Sequence, residues 1–170
     1  MSCVHIYTGE GKGKTTAAVG AAVRMAGAGG RVLFFQFLKD NRSSERRMLQ
    51  KLPNITLWPG PERVKFTQDL SLAERTELAA FYQKMLTAFL TAAEQFDLIV
   101  LDELCTVVFY ELAQVEQVLE LIARRGRCEL ILTGRYASEA LIEAADYVTD
   151  MRKCRHPYDE GAEAIKGIEY

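Results

Sequence analysis

The chain has 170 residues, 49% of them hydrophobic and 26% charged, the composition of a globular chain long enough to bury a core of its own. Its formal net charge is -2 and its pI about 5.8. A general nucleic-acid binder, which carries a strongly basic domain, is therefore set aside.

Read in chain order, short apolar runs alternate with helical stretches. CVHIYT (3–8) reads as a first strand. KTTAAVGAAVRMAGA (14–28) is rich in alanine and reads as a helix closed by Gly29-Gly30. RVLFFQF (31–37) is a continuous apolar run, as a strand buried on both faces requires. SERRMLQKL (44–52) reads as a short helix ended by Pro53, and ITLW (55–58) as a strand stopped by Pro59-Gly60-Pro61. Ser71 and Glu74 have capping-box spacing, and Leu78, Phe81, Tyr82, Met85, Leu86, Phe89 and Leu90 then recur at helical spacing, as core-packing residues do. DLIVLDE (97–103) reads as a buried strand ending in two acids. Val115, Val118, Leu119 and Ile122 mark a helix, ELILTGR (129–135) a strand running into a loop, 138–145 a short helix and YVT (147–149) a last strand. This alternation predicts an α/β fold: a parallel sheet with helices on both faces. The expectation is one domain over 1–170, with a polar tail from about 152 that lacks core periodicity and reads as a loose terminus.

The four cysteines, at 3, 105, 128 and 154, show no zinc or redox spacing and fit thiols of a reducing cytosol. No signal peptide is evident, and no apolar run approaches the ~20 residues of a membrane span. The expected location is the cytoplasm, with neither membrane nor nucleic acid as partner.

The stretch TGEGKGKTT (8–16) carries the chemistry. A phosphate-binding loop reads Gly, four residues, Gly-Lys-Ser/Thr; counted back from Gly13-Lys14-Thr15, the first glycine falls at position 8, which is Thr8, with Gly9 one place late. The setting, after a strand and opening a helix, is nevertheless the one the motif needs. Gly9, Gly11 and Gly13 let several backbone N–H groups point at one anion, the helix N-terminus adds partial positive charge, Lys14 reaches phosphate oxygens, Lys12 supplies a second cation, and the Thr15 hydroxyl suits Mg²⁺. Glu10 and Thr16 complete the ATP-binding stretch. In VLDE, Asp102 is placed to hold the metal or its waters, and Glu103 to accept a proton or position a group. Arg135, just beyond a strand, either faces the nucleotide or is a solvated structural arginine. His5 lies inside the first strand as a core or edge residue, and His156 stands alone in the polar tail. The residues alone specify an ATP-using P-loop enzyme and leave the reaction open: a phosphotransferase or small-molecule kinase, or a nucleotide-binding protein without turnover, fits the same loop.

Taken together, YTGEGKGKTTAAVGAAVRMAGAGGRVLFFQFLK, LIVLDEL, LTGR and ADYVTDMRKCRHPYDEGAEAIKGIEY resemble the ATP:corrinoid adenosyltransferases with a RecA-like P-loop fold, in the same order from Tyr7 to Tyr170. The GEGKGKTT loop and the HPYD…KGIEY tail are the most specific parts. The resemblance implies that a reduced Co(I) corrinoid attacks the 5′ carbon of ATP, giving an adenosyl-corrinoid and triphosphate, with Mg²⁺, an electron donor for cobalt and a homodimer. It implies a triphosphate bound in reverse relative to ordinary P-loop enzymes, which a displaced first glycine is compatible with. Some members displace the corrinoid's lower ligand with two aromatics one residue apart; the corresponding stretch here is VKFTQD, with Phe66 at the first place and Gln68 at the second, which leaves Trp58 or Tyr82 as alternative wedges. His156 and Tyr158 become contacts in a tail folded over nucleotide or corrinoid. Asp40 stands where a glycine is common in the family, and the strand at 129 lacks a preceding proline.

Overall fold

The apolar runs all become strands of one sheet, because each is long enough to cross it and too short and too β-branched or aromatic to prefer a helix. The computed structural model describes residues 2–161 and 163–168. In chain order the elements are β1 (Val4–Thr8), α1 (Lys14–Gly27), β2 (Val32–Gln36), α2 (Arg46–Leu49), β3 (Ile55–Leu57), α3 (Leu72–Ala92), β4 (Leu98–Asp102), α4 (Leu104–Phe109), α5 (Val115–Arg124), β5 (Glu129–Thr133), α6 (Glu139–Glu143) and β6 (Tyr147–Asp150). The strand order is β3-β2-β4-β5-β1-β6, and every pairing is parallel. The expected α/β architecture is the one observed.

Side chains on successive strand residues point to opposite faces, and the core divides accordingly. Leu33, Phe35, Phe37, Ile99 and Leu101 join the faces of α3, α4, α5 and α6 in one cluster. Val32, Phe34, Leu98, Val100 and Ile131 join Ala18 and Ala22 of α1 and Leu49 of α2 in the other. Helices therefore cover both faces. In the larger cluster, Phe35, Phe37, Tyr82 and Phe89 meet edge to face at 4.7–6.5 Å, the arrangement aromatic quadrupoles favour. Truncating any one of these phenylalanines to alanine should cost roughly 3–5 kcal/mol.

Helix α3 starts as its sequence predicts: the Ser71 hydroxyl accepts from Glu74 N–H, and the Glu74 carboxylate accepts from Ser71 N–H at 2.9 Å. The Lys65 ammonium at 2.5 Å, followed by those Ser71 bonds, holds the Glu74 carboxyl down at about 2. Helix α2 is shorter than the expected 44–52, because Arg46 and Arg47 N–H groups bond the carbonyls of Ser43 and Ser44, three residues back, rather than continuing an α ladder. Helix α4 begins directly after the acids that end β4, and a reading that runs the strand to 103 leaves it out.

The residue just before the expected tail is tied down. Met151 N–H donates to the Thr8 carbonyl at 2.8 Å, and the Met151 carbonyl accepts from Gly11 N–H at 2.5 Å. The chain leaving β6 is thereby bound to the glycine–lysine loop, and a single 3₁₀ turn follows at Pro157–Glu160. Among the described residues, no helix is long and apolar enough to cross a membrane.

Candidate functional site

In an open parallel sheet, ligands bind beyond the carboxyl ends of the strands, where the chain leaves for opposite faces. Four neighbouring strands deliver their last residues there: β1 leads into the loop 9–13, β2 ends in Gln36, β4 in Asp102 and β5 in Thr133. The loop turns through left-handed backbone at Gly9 (φ +98°) and Gly13 (φ +113°). Gly9 and Gly11 are required for a second reason. A Cβ on Gly9 would strike the Asp150 side chain and the Met151 backbone, and one on Gly11 the backbones of Met151 and Arg152.

Lys14 points back into this loop: its ammonium donates to the Gly9 carbonyl at 2.6 Å and the Gly11 carbonyl at 2.7 Å. Burial, the largest influence, lowers its pKa, and Arg135 adds to this while Glu103, Glu10 and Asp102 oppose it. A cation partly stripped of water and tied only to neutral carbonyls is readily drawn to an incoming anion.

Behind the loop, Asp102 has no exposed surface. Its Oδ1 accepts from the Thr15 hydroxyl at 2.9 Å and the Thr133 hydroxyl at 2.6 Å; its Oδ2 accepts from Lys39 Nζ at 2.8 Å and Gln36 Nε2 at 3.1 Å. Burial pushes this carboxyl up, but the charge and hydrogen bond of Lys39, with the bonds from Thr133 and Gln36, outweigh it and hold the pKa below the ordinary carboxylate value. Lys39 shows the reciprocal effect: burial lowers it, while Asp102 and Glu45 carry it above its ordinary value. Its position has a local cause. Tyr82 Oη, buried in the core, accepts from Leu38 N–H at 2.8 Å and fixes Leu38 in a left-handed turn (φ 52°), which directs the next residue at Asp102.

Lys39 Nζ also lies 3.2 Å from the Thr15 hydroxyl. An ammonium thus rests against the two groups expected to hold Mg²⁺, which shows that their oxygens form a cation-attracting locus. Hydroxyl and carboxylate oxygens are also the donors this hard ion prefers, with substrate phosphates completing its shell. The residues present fit the metal.

Glu103 sits at φ 65°, its N–H donating to the Thr133 hydroxyl at 2.9 Å and its carboxylate accepting from the Thr106 hydroxyl at 2.7 Å. The Thr106 hydroxyl in turn accepts from Arg135 N–H at 2.9 Å. Arg135 Nη1 lies 3.5 Å from Glu10 Oε2 across the loop mouth.

These groups converge. Glu10, Gly11, Lys12, Gly13, Lys14, Thr15, Thr16, Glu103, Arg135 and His156 line one cavity of about 230 Å³, while Gly9 contributes its carbonyl and Asp102 lies beneath. Phe66 lines an adjoining cavity of about 380 Å³ that shares Glu103 and Arg135 and adds Lys39, Thr106, Tyr110 and Tyr136. Gln68 is exposed and lines neither cavity. The alternative wedges need correcting: Tyr82 is fully buried, and Trp58 stacks on Phe89 at 5.2 Å and packs against the core, so both serve packing. The Tyr158 side chain lies outside the described residues. Sequence reasoning missed Lys39, Gln36, Thr133 and Thr106. For Gln36 and Thr133 the available signal was a polar residue ending an apolar strand, where the sheet's crevice lies; Lys39 and Thr106 had no such signal.

Across residues 1–170 the chain matches the family model described as ATP:corrinoid adenosyltransferase BtuR/CobO/CobP. It is 33% identical over 168 residues to the corrinoid adenosyltransferase CobA of Salmonella typhimurium, covering 98% of this chain and 85% of that protein. It is 32% identical to a corrinoid adenosyltransferase of Escherichia coli K12 over the same shares. Among solved structures, the cytoplasmic domain of EssC superposes with a TM-score of 0.51 at 17% identity, over 98% of this chain and 36% of that one. A likeness at that identity speaks to the fold alone.

Proposed function

Because the chain belongs to the ATP:corrinoid adenosyltransferase family, we propose that its loop grips the triphosphate of ATP as a leaving group rather than as a phosphoryl donor. The reaction is transfer of the 5′-deoxyadenosyl group of ATP to the Co(I) of a reduced corrinoid. The cobalt electron pair forms the Co–C5′ bond, the C5′–O bond breaks, and its electron pair departs with triphosphate. The corrinoid is itself the nucleophile, so the protein's task is to align C5′ and to stabilise charge building on the leaving oxygens.

The observation that carries this assignment of roles is the cavity in which Lys12, Lys14, Arg135 and the loop's backbone converge. Lys14 exchanges its two carbonyl partners for triphosphate oxygens. Lys12 and Arg135 neutralise further charge at the mouth. Thr15 and Asp102 hold Mg²⁺, which when bound supplies a Lewis acid for the triphosphate. Glu103 orients the Thr106–Arg135 chain rather than serving as a base, since no substrate proton is removed. His156 closes the cavity from the tail, and Phe66 faces the corrinoid side. An external electron donor supplies Co(I), the enzyme acts in the cytoplasm as a homodimer, and 1–170 is one domain.

The test mixes protein, Mg-ATP and chemically reduced cobalamin. Adenosylcobalamin and triphosphate are the expected products; ADP and phosphate without a cobalt–carbon bond would overturn the reading.

A further inference from the structure

Beyond Arg135 the structure exposes an aromatic surface that the triphosphate grip leaves unused. Tyr136 and Phe109 are 44% and 52% exposed, and their rings lie 4.3 Å apart at 35°. Phe109 is braced from behind by Tyr110, edge-on at 5.2 Å. Contiguous exposed apolar surface rimmed by polar residues is a candidate binding face.

The backbone is bent to make this pair. Gly134 (φ +140°) lies so close to α4 that a Cβ there would meet Thr106 N and Oγ1 at 2.6 and 2.8 Å. Arg135 N–H is fastened to the Thr106 hydroxyl. Tyr136 then adopts φ 57°, a left-handed conformation that residues with a Cβ, aromatic ones above all, rarely take. Such strain persists where the surroundings impose it, and it concentrates at ligand sites. Here it lays the Tyr136 ring over Phe109 and turns it into the cavity that Phe66, Lys39, Glu103 and Arg135 also line. Phe66, 78% exposed, stands at the same cavity.

We propose that Tyr136, backed by Phe109, is a corrinoid-positioning residue: the macrocycle lies against this aromatic wall, with Phe66 also in the cavity, so that its cobalt faces C5′ across Arg135 and Glu103. The proposal rests on the adenosyl-transfer reading above. Both substrates carry a flat ring, and the openness of the wall selects between them. A purine bound by stacking would be enclosed, whereas Phe66 and Tyr136 line a cavity of about 380 Å³ while remaining exposed, and Phe109 behind Tyr136 is exposed as well. That suits a macrocycle broader than the cavity, with apolar faces and a polar rim left to solvent.

The decisive variant is Tyr136→Gly, because glycine adopts without strain the backbone that tyrosine adopts under strain, so the fold is retained while the ring is lost. Phe109→Leu is its companion. Steady-state adenosylation is measured with each substrate varied in turn, and ATP binding separately by thermal shift. The expected result is a rise of about tenfold in KM for the corrinoid in Tyr136→Gly and a smaller rise in Phe109→Leu, the range of one lost aromatic contact. The melting temperature should be unchanged or raised, and ATP affinity should stay within about twofold. Tyr136→Phe should keep the wild-type corrinoid KM. An unaltered corrinoid KM in an active Tyr136→Gly enzyme overturns the proposal alone. A raised KM for ATP with an unaltered corrinoid KM assigns the wall to adenine and also overturns it. A wild-type protein that forms no adenosylcobalamin removes the reading beneath it.

Discussion

Replacing Lys39 by alanine removes the ammonium that lies 2.8 Å from Asp102 and leaves a carboxylate with no exposed surface. Removing one partner of a buried ion pair costs roughly 3–5 kcal/mol, because the other charge remains desolvated. Asp102 keeps bonds from Thr15, Thr133 and Gln36, and the Lys39 side chain is 28% exposed, so the lower end applies: about 3 kcal/mol. For a chain of this length, that corresponds to a melting temperature lower by about 6–12 °C near neutral pH. The sign of the pH dependence follows from the shifts. In the wild type the Asp102 pKa is depressed, so its contribution is complete above the ordinary carboxylate pKa and is lost only as pH falls through the lowered value. In the variant the lowering by Lys39 is gone while burial still raises the Asp102 pKa, so less of that contribution remains once the carboxyl ionises. The gap between the two proteins should therefore be widest at about pH 8 and shrink toward about pH 4–5. Scanning fluorimetry across that range measures it. Added Mg²⁺ should restore more stability to the variant than to the wild type, since it meets the same oxygens with no ammonium to displace. A variant melting within about 2 °C of wild type at about pH 8, or a gap that widens on acidification, would refute the reasoning.

Lys14→Ala should lower turnover by about 100-fold or more while the protein stays folded, as loss of a main charge-stabilising donor does; near-normal adenosylation would remove the loop from the mechanism. Gly11→Ala forces a Cβ into the backbones of Met151 and Arg152, so limited tryptic digestion at Arg152 and Lys153 should accelerate; an unchanged digestion rate would show that the tail is not held by the loop. Burial pushes the thiols of Cys105 and Cys128 up to about 12, so iodoacetamide at about pH 8 should label the exposed Cys154 in the native protein and spare those two. Peptide mapping that finds Cys105 labelled at the same rate would contradict its burial.

What the sequence revealed, and what it withheld, follows from the range of the interactions. The strands, the capping box at Ser71 and the P-loop are local patterns, and the packing of Tyr82 and Phe89 follows from helical periodicity alone. Lys39 was hidden because its role needs a left-handed Leu38 beside it and two distant parts: the Tyr82 hydroxyl, 44 residues beyond Leu38, that fixes that turn, and Asp102 in a neighbouring strand. A lysine after a strand ordinarily points to water, and nothing within a few residues says otherwise. Helix α4 was hidden because Glu103 enters it through φ 65°, a conformation whose sequence signature is glycine or asparagine. The Tyr136–Phe109 pair was invisible for the same reason, since it depends on a left-handed tyrosine.

The displaced glycine illustrates how a local anomaly acquires a long-range cause. Position 8 is the last residue of β1, paired with Asp150 of β6. Its carbonyl receives Met151 N–H, and its hydroxyl receives Ala137 N–H at 3.4 Å from the loop after β5. A glycine there would keep the carbonyl contact and lose the hydroxyl that ties the Arg135–Tyr136 turn to the phosphate loop. The strand continues one residue further than the common loop allows, and the first flexible position moves to Gly9, where the tail from β6 needs the space. Thr8 thus ties the loop after β5 and the chain leaving β6 to the end of β1. The residue that spoils the phosphate-loop pattern also fastens the end of β1 to the loop after β5, the loop on which Arg135 and Tyr136 lie, and a site that must bring a leaving group and a macrocycle into line depends on such supports.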